Sequence, residues 1–399
     1  MFFLACAAPE STENPTPAHD GAGVDSGESI DLGESGDPGE TGDSGGGGPA
    51  GVRGLLVAQS WDDRAWPTGA GAGEYRVIFL QESMYPLLPE IRAANPEARV
   101  FAYQKVGGMR SDGDDHPSTG VRADLAEESW FLHDAAGERL VYCDHPEVWA
   151  AEVGNPGYQA AWTAAVLARV TADGFDGVML DDVNTFPGHC LGDQGTPIAE
   201  YPTDEAYGEA TVAFMAAVGP ALQAEGLAVA PNIALNPWDT TQLVQAAEML
   251  PYVTHWVREY WMRWDVSANF LGDEWEATLD TMLLAQEADV GYLAITYGPG
   301  VEGASSGQRY GRASWLLAWD GESDSAWGYW GAGEDPWSEE WAQDLGRPVA
   351  PIDRQNGAWV REYSAGWVAV NPNPFPVDLT FEDDQALHLE PGEGTWWTE

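Results

Sequence analysis

From residue 54 onward the chain alternates short apolar runs with longer amphipathic stretches, the pattern of repeated βαβ units. Eight apolar runs have the length and composition of strands: Leu55–Trp61, Arg76–Gln81, Arg99–Val106, Gly177–Asp182, Ala228–Leu235, Val253–Tyr260, Gly291–Tyr297 and Ser325–Trp330. Amphipathic stretches predict helices at Tyr85–Ala94, Gly157–Ala172, Asp204–Glu225, Asp239–Met249, Glu274–Glu287 and Gln308–Trp319. Eight strands joined by right-handed crossovers predict an α/β fold, a (β/α)8 TIM barrel with insertions.

Two crossovers depart from this pattern. The first offers only residues 62–75, where glycines at 69, 71 and 73 argue against a helix. The third is long, residues 107–156, and predicts extra strands at Trp130–His133, Arg139–Tyr142 and Val148–Val153. A doubly wound open sheet is the alternative fold, although the sequence shows no Gly-rich phosphate-binding loop to accompany it.

The pattern changes again after Arg347-Pro348, where short alternating runs are separated by Gly, Asn and Pro. These runs predict strands at Ala358–Tyr363, Trp367–Val370, Val377–Phe381 and Leu387–Glu390. We therefore expect a small C-terminal antiparallel β domain, residues 348–399, packed on a barrel of residues 52–347.

The charge of the chain is strongly negative. Asp and Glu total 65 against 17 Lys and Arg, a formal net charge of -48. Residues 1–51 contribute ten of the acidic residues and no basic one, in a Gly- and Ser-rich context that predicts a disordered acidic tail and linker. Such a charge argues against nucleic acid or an anionic membrane surface as a partner.

The three cysteines bear on location. Phe3-Leu4-Ala5-Cys6 is similar to the end of a bacterial lipoprotein signal, so Cys6 is a lipidation candidate, and an ordinary exposed cysteine is the alternative. In an oxidising compartment Cys143 and Cys190 would then be disulfide candidates, against two unrelated buried thiols. No segment reaches the roughly 20 apolar residues that span a bilayer. We expect a secreted or cell-surface monomer that meets the membrane only through a lipid anchor.

Polar residues follow the apolar runs where a barrel of this kind holds its active site, at the C-terminal strand ends. These are Asp62, Lys105, Asp181, Asp182, Asn232, Glu259 and Tyr297, with Trp61 and Trp327 among the nearby aromatics. Carboxylates, amides and flat rings are the groups that sugar chemistry needs. Asp181, Asp182 and Glu259 are the catalytic candidates, and the others are candidates for binding substrate. Solvated strand termini and a surface ion pair at Glu259 are the plain alternatives.

Lys105 is the only lysine of the chain. A residue type that has almost disappeared is kept at a predicted strand end, which suggests that it binds substrate or holds a carboxylate ionised. A Schiff-base role is a weaker alternative, because nearby acids would keep the amine protonated.

The sequence lacks the motifs of zinc-dependent catalysis and of serine hydrolases. The seven His show no zinc-site spacing, and no Gly-x-Ser-x-Gly elbow is present, so we expect no metal and no cofactor.

The tryptophans divide into two groups. We expect Trp162, Trp275, Trp315 and Trp319 to pack inside helices. Trp61, Trp66, Trp261, Trp264, Trp327 and Trp330 fall at strand ends or in loops, where two or three of them would stack on sugars.

Three segments resemble a known family: Gly174–Val183 with its Phe-Asp-Gly and Leu-Asp-Asp motifs, Gly154–Tyr158, and Arg99–Lys105. They are similar to the glycoside-hydrolase-like barrels, most closely hypothetical glycosyl hydrolase family fifteen, over roughly residues 54–390. By likeness to α-galactosidase-like and α-glucosidase-like barrels, the nucleophile would be Asp181 after the fourth strand and the acid/base Glu259 after the sixth. The acid/base of those barrels is usually Asp, and the doubled Asp181-Asp182 leaves open which of the two faces the site.

The sequence therefore predicts a retaining glycoside hydrolase that acts on an extracellular neutral or cationic polysaccharide or oligosaccharide. Two alternatives remain: a non-catalytic carbohydrate-binding lipoprotein on a barrel scaffold, and a barrel aldolase or lyase that uses Lys105.

Overall fold

The computed structural model describes residues 54–58, 67–69, 71–110, 117–142, 145–187, 191, 197–264, 268–298, 306–330, 337–381 and 386–398. Several residues singled out in the sequence lie outside these ranges: Trp61, Asp62, Trp66, Cys143, Cys190 and the acidic tail of residues 1–51 with Cys6. No helix in the described ranges is long and apolar enough to cross a membrane.

Seventeen strands form among the described residues. They are β1 (Gly54–Ala58), β2 (Tyr75–Leu80), β3 (Arg99–Lys105), β4 (Gly108–Arg110), β5 (Val141–Tyr142), β6 (His145–Ala150), β7 (Gly177–Asn184), β8 (Ala228–Ala234), β9 (His255–Arg258), β10 (Gly291–Tyr297), β11 (Ala326–Trp330), β12 (Asp353–Gln355), β13 (Ala358–Tyr363), β14 (Gly366–Asn371), β15 (Val377–Thr380), β16 (Ala386–Leu389) and β17 (Glu393–Thr398).

The described residues also form six α-helices: α1 (Leu88–Ala94), α2 (Pro156–Asp173), α3 (Asp204–Ala224), α4 (Thr240–Met249), α5 (Asp273–Glu287) and α6 (Ser306–Ala318). Local signals set their ends. Asn155, Thr203 and Asp239 accept backbone N–H bonds as N-caps of α2, α3 and α4. Gly174 ends α2 at a φ of 79°, a left-handed conformation that favours glycine.

Eight parallel strands close into a barrel in the order β1-β2-β3-β7-β8-β9-β10-β11, which confirms the predicted fold class. Alternate residues of each strand face the barrel interior. On β3 the interior residue Phe101 stacks on Phe79 with ring centroids 5.9 Å apart and meets the ring of His255 at 5.7 Å. Val100 and Ala102 face the opposite way, into the buried core outside the strands. Residues 103 and 105 therefore point into the barrel at its C-terminal end.

The first two crossovers differ from the rest of the barrel. The described residues of the first contain the 3-10 turn Ala72–Glu74 and no α-helix, in accordance with the glycine pattern. The helix predicted at Tyr85–Ala94 is correct from Leu88 onward. The residues before it belong to a 3-10 turn, Glu82–Leu87, because Pro86 has no N–H to donate to an α-helical ladder.

The long third crossover contains a three-stranded antiparallel sheet in the order β4-β6-β5. The strand predicted at Trp130–His133 is wrong, because Trp130 ends a 3-10 turn and only isolated bridges follow it. The strand predicted at Arg139–Tyr142 is shorter, and the one predicted at Val148–Val153 begins earlier, at His145.

Two antiparallel sheets follow the barrel, one in the order β12-β13-β14-β17 and one pairing β15 with β16. The larger sheet lies on α6, where Tyr363 Oη donates to the carbonyl of Leu316 at 2.5 Å and Arg361 Nη1 to that of Leu317 at 2.8 Å. Gly47–Glu399 form one compact unit. The exact boundary at residue 348 stays a prediction.

A buried arginine joins the barrel, α6 and the larger sheet. Arg312 of α6 is 1% exposed and lies 5.5–5.8 Å from the ring centroids of Trp327, Trp341 and Trp396. Its Nη2 donates to the carbonyl of Trp341 at 2.7 Å. Three of the chain's many tryptophans are thus explained by one cation–π cluster.

Candidate active site

Asp181 lies in the C-terminal half of β7 on its interior face and is 4% exposed. Two neighbouring strands supply donors to its carboxylate. Tyr103 Oη of β3 donates to Oδ2 at 2.5 Å, and Asn232 Nδ2 of β8 donates to Oδ1 at 3.0 Å. A buried carboxylate needs such partners, so the barrel holds Asp181 in a single orientation.

Glu259 directly follows β9 and is half-buried. Tyr297 Oη donates to its Oε1, and Asn232 Nδ2 donates to its Oε2 at 2.7 Å. Asn232 Nδ2 therefore bonds to both carboxylates. Because both bonds share that nitrogen, Asp181 Oδ1 and Glu259 Oε2 lie no further apart than the combined 3.0 and 2.7 Å, which is 5.7 Å.

Asp182 turns away from this pair. Its φ of 61° is left-handed, and the pairing of β7 with β8 shifts register between Leu180 and Val183. Its Oδ2 lies 2.8 Å from Lys105 Nζ, which in turn lies 5.0 Å from the ring centroid of Tyr142. The backbone irregularity thus lets two consecutive carboxylates face different partners, and Asp181 is the one that faces Glu259.

Two glycines bring the inserted sheet close to the mouth of the barrel. A Cβ on Gly107 would lie 2.9 Å from Cε2 of Tyr142, and one on Gly108 would lie 2.7 Å from Cγ1 of Val148 and 3.2 Å from Cδ of Lys105. Side chains at these positions would displace Tyr142 or Lys105. The close approach therefore requires glycine.

Burial raises the pKa of both facing carboxyls. Burial, together with the charge of Asp181, raises the pKa of Glu259 to about 7, against the opposing hydrogen bonds from Tyr297 and Asn232. Burial and the charge of Asp182 also raise the pKa of Asp181. The charge of Lys105 and the hydrogen bonds from Tyr103 and Asn232 partly oppose this increase. Close carboxylates in such surroundings can provide one acid and one base.

Lys105 remains a cation in this site. Burial lowers its pKa, but the charges of Asp182 and Asp181 outweigh burial, and the net pKa lies above its usual value. A protonated amine is not a nucleophile, which weighs against a Schiff base at this lysine.

Backbone strain is concentrated beside these residues. Among the described residues, five other than glycine have a positive φ, and three of them are Asp182, Tyr260 at 58° and Met262 at 65°. Such conformations cost free energy and persist where the surrounding structure enforces them, commonly at functional sites.

The structure brings most of the sequence candidates together: Lys105, Asp181, Asp182, Asn232, Glu259 and Tyr297 share the mouth of the barrel. Tyr103 and Tyr142 were not singled out in the sequence. Strand alternation would have identified Tyr103, two residues before Lys105 on the same face. Tyr142 comes from the inserted sheet, and no local pattern points to it.

The prediction that Trp327 binds substrate is wrong. It lies on the outer face of β11, is 3% exposed, and donates through Nε1 to Oγ1 of Thr296 at 3.0 Å. Alternation along β11 places Trp330 on the inner face instead. Trp261 is fully buried too, whereas Trp264 is 41% exposed, and the four tryptophans predicted inside helices are buried.

Within the described ranges, no group of three or more His, Cys, Asp and Glu side chains has the arrangement of a metal site.

Three solved structures similar to this chain are enzymes named for carbohydrate substrates. A GH31 dextranase of Flavobacterium johnsoniae, complexed with glucose, superposes with a TM-score of 0.50 at 10% identity, covering 88% of this chain and 52% of that one. A cycloalternan-degrading enzyme from Trueperella pyogenes gives a TM-score of 0.47 at 10% identity, with 88% and 61% covered. A GH31 family sulfoquinovosidase from E. rectale gives 0.47 at 11% identity, with 88% and 60% covered. At 10% identity the likeness to the dextranase shows the fold alone, and the chain spans about half the length of that enzyme.

The comparison with curated proteins gives no match. The model of one family, described as hypothetical glycosyl hydrolase family 15, matches residues 92–367, which is more than half of the chain and includes β3 and β7–β11. A match over more than half of the chain shows that the chain belongs to hypothetical glycosyl hydrolase family 15.

Proposed function

We propose that the protein is a retaining glycoside hydrolase with Asp181 as nucleophile and Glu259 as acid/base. The observation that carries the proposal is the pair of hydrogen bonds from Asn232, which brings Asp181 Oδ1 and Glu259 Oε2 to at most 5.7 Å from each other. Retaining enzymes hold their carboxyl groups about 5–5.5 Å apart, whereas inverting enzymes need about 6.5–9.5 Å to admit a water molecule.

In the first step Asp181 attacks the anomeric carbon, and the bond from that carbon to the leaving oxygen breaks. Glu259 gives its proton to the leaving oxygen, so the leaving sugar departs as a neutral alcohol. In the second step Glu259 takes a proton from water, whose oxygen displaces Asp181 from the anomeric carbon. Both carboxyls then return to their starting protonation states.

Their surroundings support this division of roles. The pKa of Glu259, about 7, leaves it protonated through the mildly acidic range, as the acid requires. Asp181 receives hydrogen bonds from Tyr103 and Asn232 and lies within the field of Lys105, all of which favour its ionised form.

The net charge supports a substrate class. At -48 it disfavours polyuronates and sulfated glycans as substrates. We therefore propose a neutral or cationic oligosaccharide or polysaccharide.

A panel of oligosaccharides and of glycosides with activated leaving groups tests the reaction. Asp181→Asn should reduce turnover by about a thousandfold or more while leaving binding intact. The matched control is Asp378→Asn, a carboxylate 85% exposed on β15. A 2-deoxy-2-fluoro glycoside of the cleaved sugar should leave a covalent adduct on Asp181, located by peptide mass spectrometry.

The stereochemistry gives an independent result. Proton NMR during hydrolysis should show that the first-formed product keeps the anomeric configuration of the substrate. An inverted product or an adduct on another residue would contradict the mechanism. Tight glycan binding without turnover across the panel would favour the carbohydrate-binding alternative.

We also propose that the protein is exported and lipidated at Cys6, on the strength of the Leu4-Ala5-Cys6 segment and the acidic linker after it. Metabolic labelling with a radioactive fatty acid tests this. The label should be lost in Cys6→Ser and kept in Cys143→Ser, and equal labelling of the two variants would refute the anchor.

A further inference from the structure

We propose that four aromatic rings beside Glu259 form the binding site for the leaving-group sugar, which they hold by its flat C–H face. These rings, the aromatic wall, belong to Tyr260, Trp264, Tyr297 and Trp330. The proposal rests on the glycosidase function and adds to it where the leaving sugar sits and what recognises it.

The four rings contact one another in series. Tyr260 stacks on Tyr297 with centroids 4.9 Å apart and planes inclined by 26°. Trp264 continues from Tyr260 at 5.3 Å, and Trp330 meets Tyr297 at 4.7 Å. Two ring contacts therefore connect Tyr297 to Trp264.

The wall runs from the reacting groups out to solvent. Tyr297 is 2% exposed and donates its hydroxyl proton to Glu259, whereas Trp264 is 41% exposed. An acid that protonates the glycosidic oxygen must stand on the side of the leaving group. The wall begins at that acid, so the sugar against it is the leaving group.

The wall is held in place before any sugar arrives. Tyr260 adopts its left-handed φ of 58° at the start of the loop, which turns its ring onto Tyr297. Trp264 donates through Nε1 to Oε1 of Glu274 at 3.2 Å, and Phe270 packs against it at 5.4 Å. An exposed indole held in this way contributes little to packing of the core. It can bind a sugar well, because little side-chain entropy is lost when the sugar stacks on it.

The test compares two substrates that share the cleaved sugar. One is the disaccharide or oligosaccharide from the panel, and the other is the glycosyl fluoride of the same anomeric configuration, which has no leaving-group sugar. Trp264→Ala should reduce kcat/KM about tenfold for the oligosaccharide, with a clearly smaller loss for the fluoride. Trp264→Phe keeps a flat ring and should retain most of the activity on both.

The control is Phe375→Ala, an aromatic side chain 54% exposed in the turn before β15. It should leave the ratio of the two kcat/KM values unchanged. Equal losses on both substrates in Trp264→Ala, or no loss on either, would overturn the aromatic wall.

Calorimetric titration of the same oligosaccharides separates this proposal from the proposed function. If the protein binds but hydrolyses none of them, the hydrolase assignment fails, and weaker binding by Trp264→Ala than by wild type still supports the wall. Unchanged affinity in Trp264→Ala, or no binding of any member to the wild type, overturns it.

Discussion

At the scale of single residues, one amide organises the candidate site. Asn232 Nδ2 touches a carboxylate from β7 and another that follows β9, so the two acids are positioned by a side chain from the strand between them. A donor shared in this way favours negative charge on either acid. Lys105 and Tyr103 also favour the ionised form of Asp181, and Tyr297 favours that of Glu259.

Lys105 should act on the pH profile through Asp182. Removing its charge in Lys105→Met leaves the charge of Asp182 uncompensated beside Asp181, whose pKa should rise further. Because Asp181 must be ionised to attack, the acidic limb of kcat/KM against pH should move up by about 0.5–1 unit.

Lys105→Arg is the matched control, since it keeps the positive charge and should keep the acidic limb near its original pH. If the acidic limb of kcat/KM lies at the same pH in Lys105→Met as in wild type, the lysine does not lower the pKa of Asp181.

At the scale of elements, the inserted sheet is as much a part of the site as the barrel strands. It supplies Tyr142, against whose ring Lys105 lies, and it reaches the mouth because residues 107 and 108 have no side chains. The segment between β3 and β7 is long because it contains this inserted sheet.

Gly107→Ala should therefore act on both stability and activity. The new Cβ would lie 2.9 Å from Tyr142, too close for an ordinary contact, and such overpacking costs about 1–3 kcal/mol. We expect a lower melting temperature and reduced turnover, measured by calorimetry and by hydrolysis of the panel substrate.

Gly73→Ala is the control for this change, because a Cβ there would meet no atom within 4 Å. If both variants melt alike, the close approach of Tyr142 is not what keeps residue 107 a glycine.

The same elements show what the sequence could predict. Apolar period and strand length identified all eight barrel strands, because parallel barrel strands are buried on both faces. Helix ends were predictable where Asn155 or Gly174 carried a local signal. The strand predicted at Trp130–His133 failed because pairing in a small sheet depends on distant partners such as Ala151.

The site was predictable to a similar degree. Placement after strands four and six selected Asp181 and Glu259, but spacing could not tell Asp181 from Asp182. That choice depends on a left-handed φ at residue 182 and a shift of strand register, neither of which the sequence displays. The prediction for Trp327 was wrong because the sequence does not show which face of β11 the residue occupies. A shift of one residue in strand register moves a side chain to the opposite face.

At the scale of the whole molecule, the candidate site works against stability. Glu259 has a pKa raised from 4.5 to about 7, so its carboxyl binds protons more tightly in the folded than in the unfolded chain. The stability from this group is complete below its unfolded pKa and is lost as the pH rises through 7. Above that pH the fold must hold a charged and partly buried carboxylate.

Glu259→Gln should consequently be inactive and more stable than wild type at pH 8.5, by about 1–2 kcal/mol. At pH 4.5 the difference should nearly vanish, since the carboxyl is then neutral in the folded protein. Urea unfolding at the two pH values measures it.

Glu362→Gln, at an exposed position of β13, should show no such pH dependence. A gain for Glu259→Gln that is the same at both pH values would contradict the link between its raised pKa and stability.

The single lysine also allows unfolding of the barrel to be measured by proteolysis at one site. A lysyl endopeptidase has one cleavage site in the entire sequence, the bond after Lys105. That bond follows the last residue of β3 at the mouth of the barrel, and its lysine is salt-bridged to Asp182 with only 21% of its side chain exposed. A protease needs an extended, accessible segment, so it can cut there only when the barrel opens. The rate at which the chain splits into two fragments then measures the opening of the barrel with native protein and no added probe.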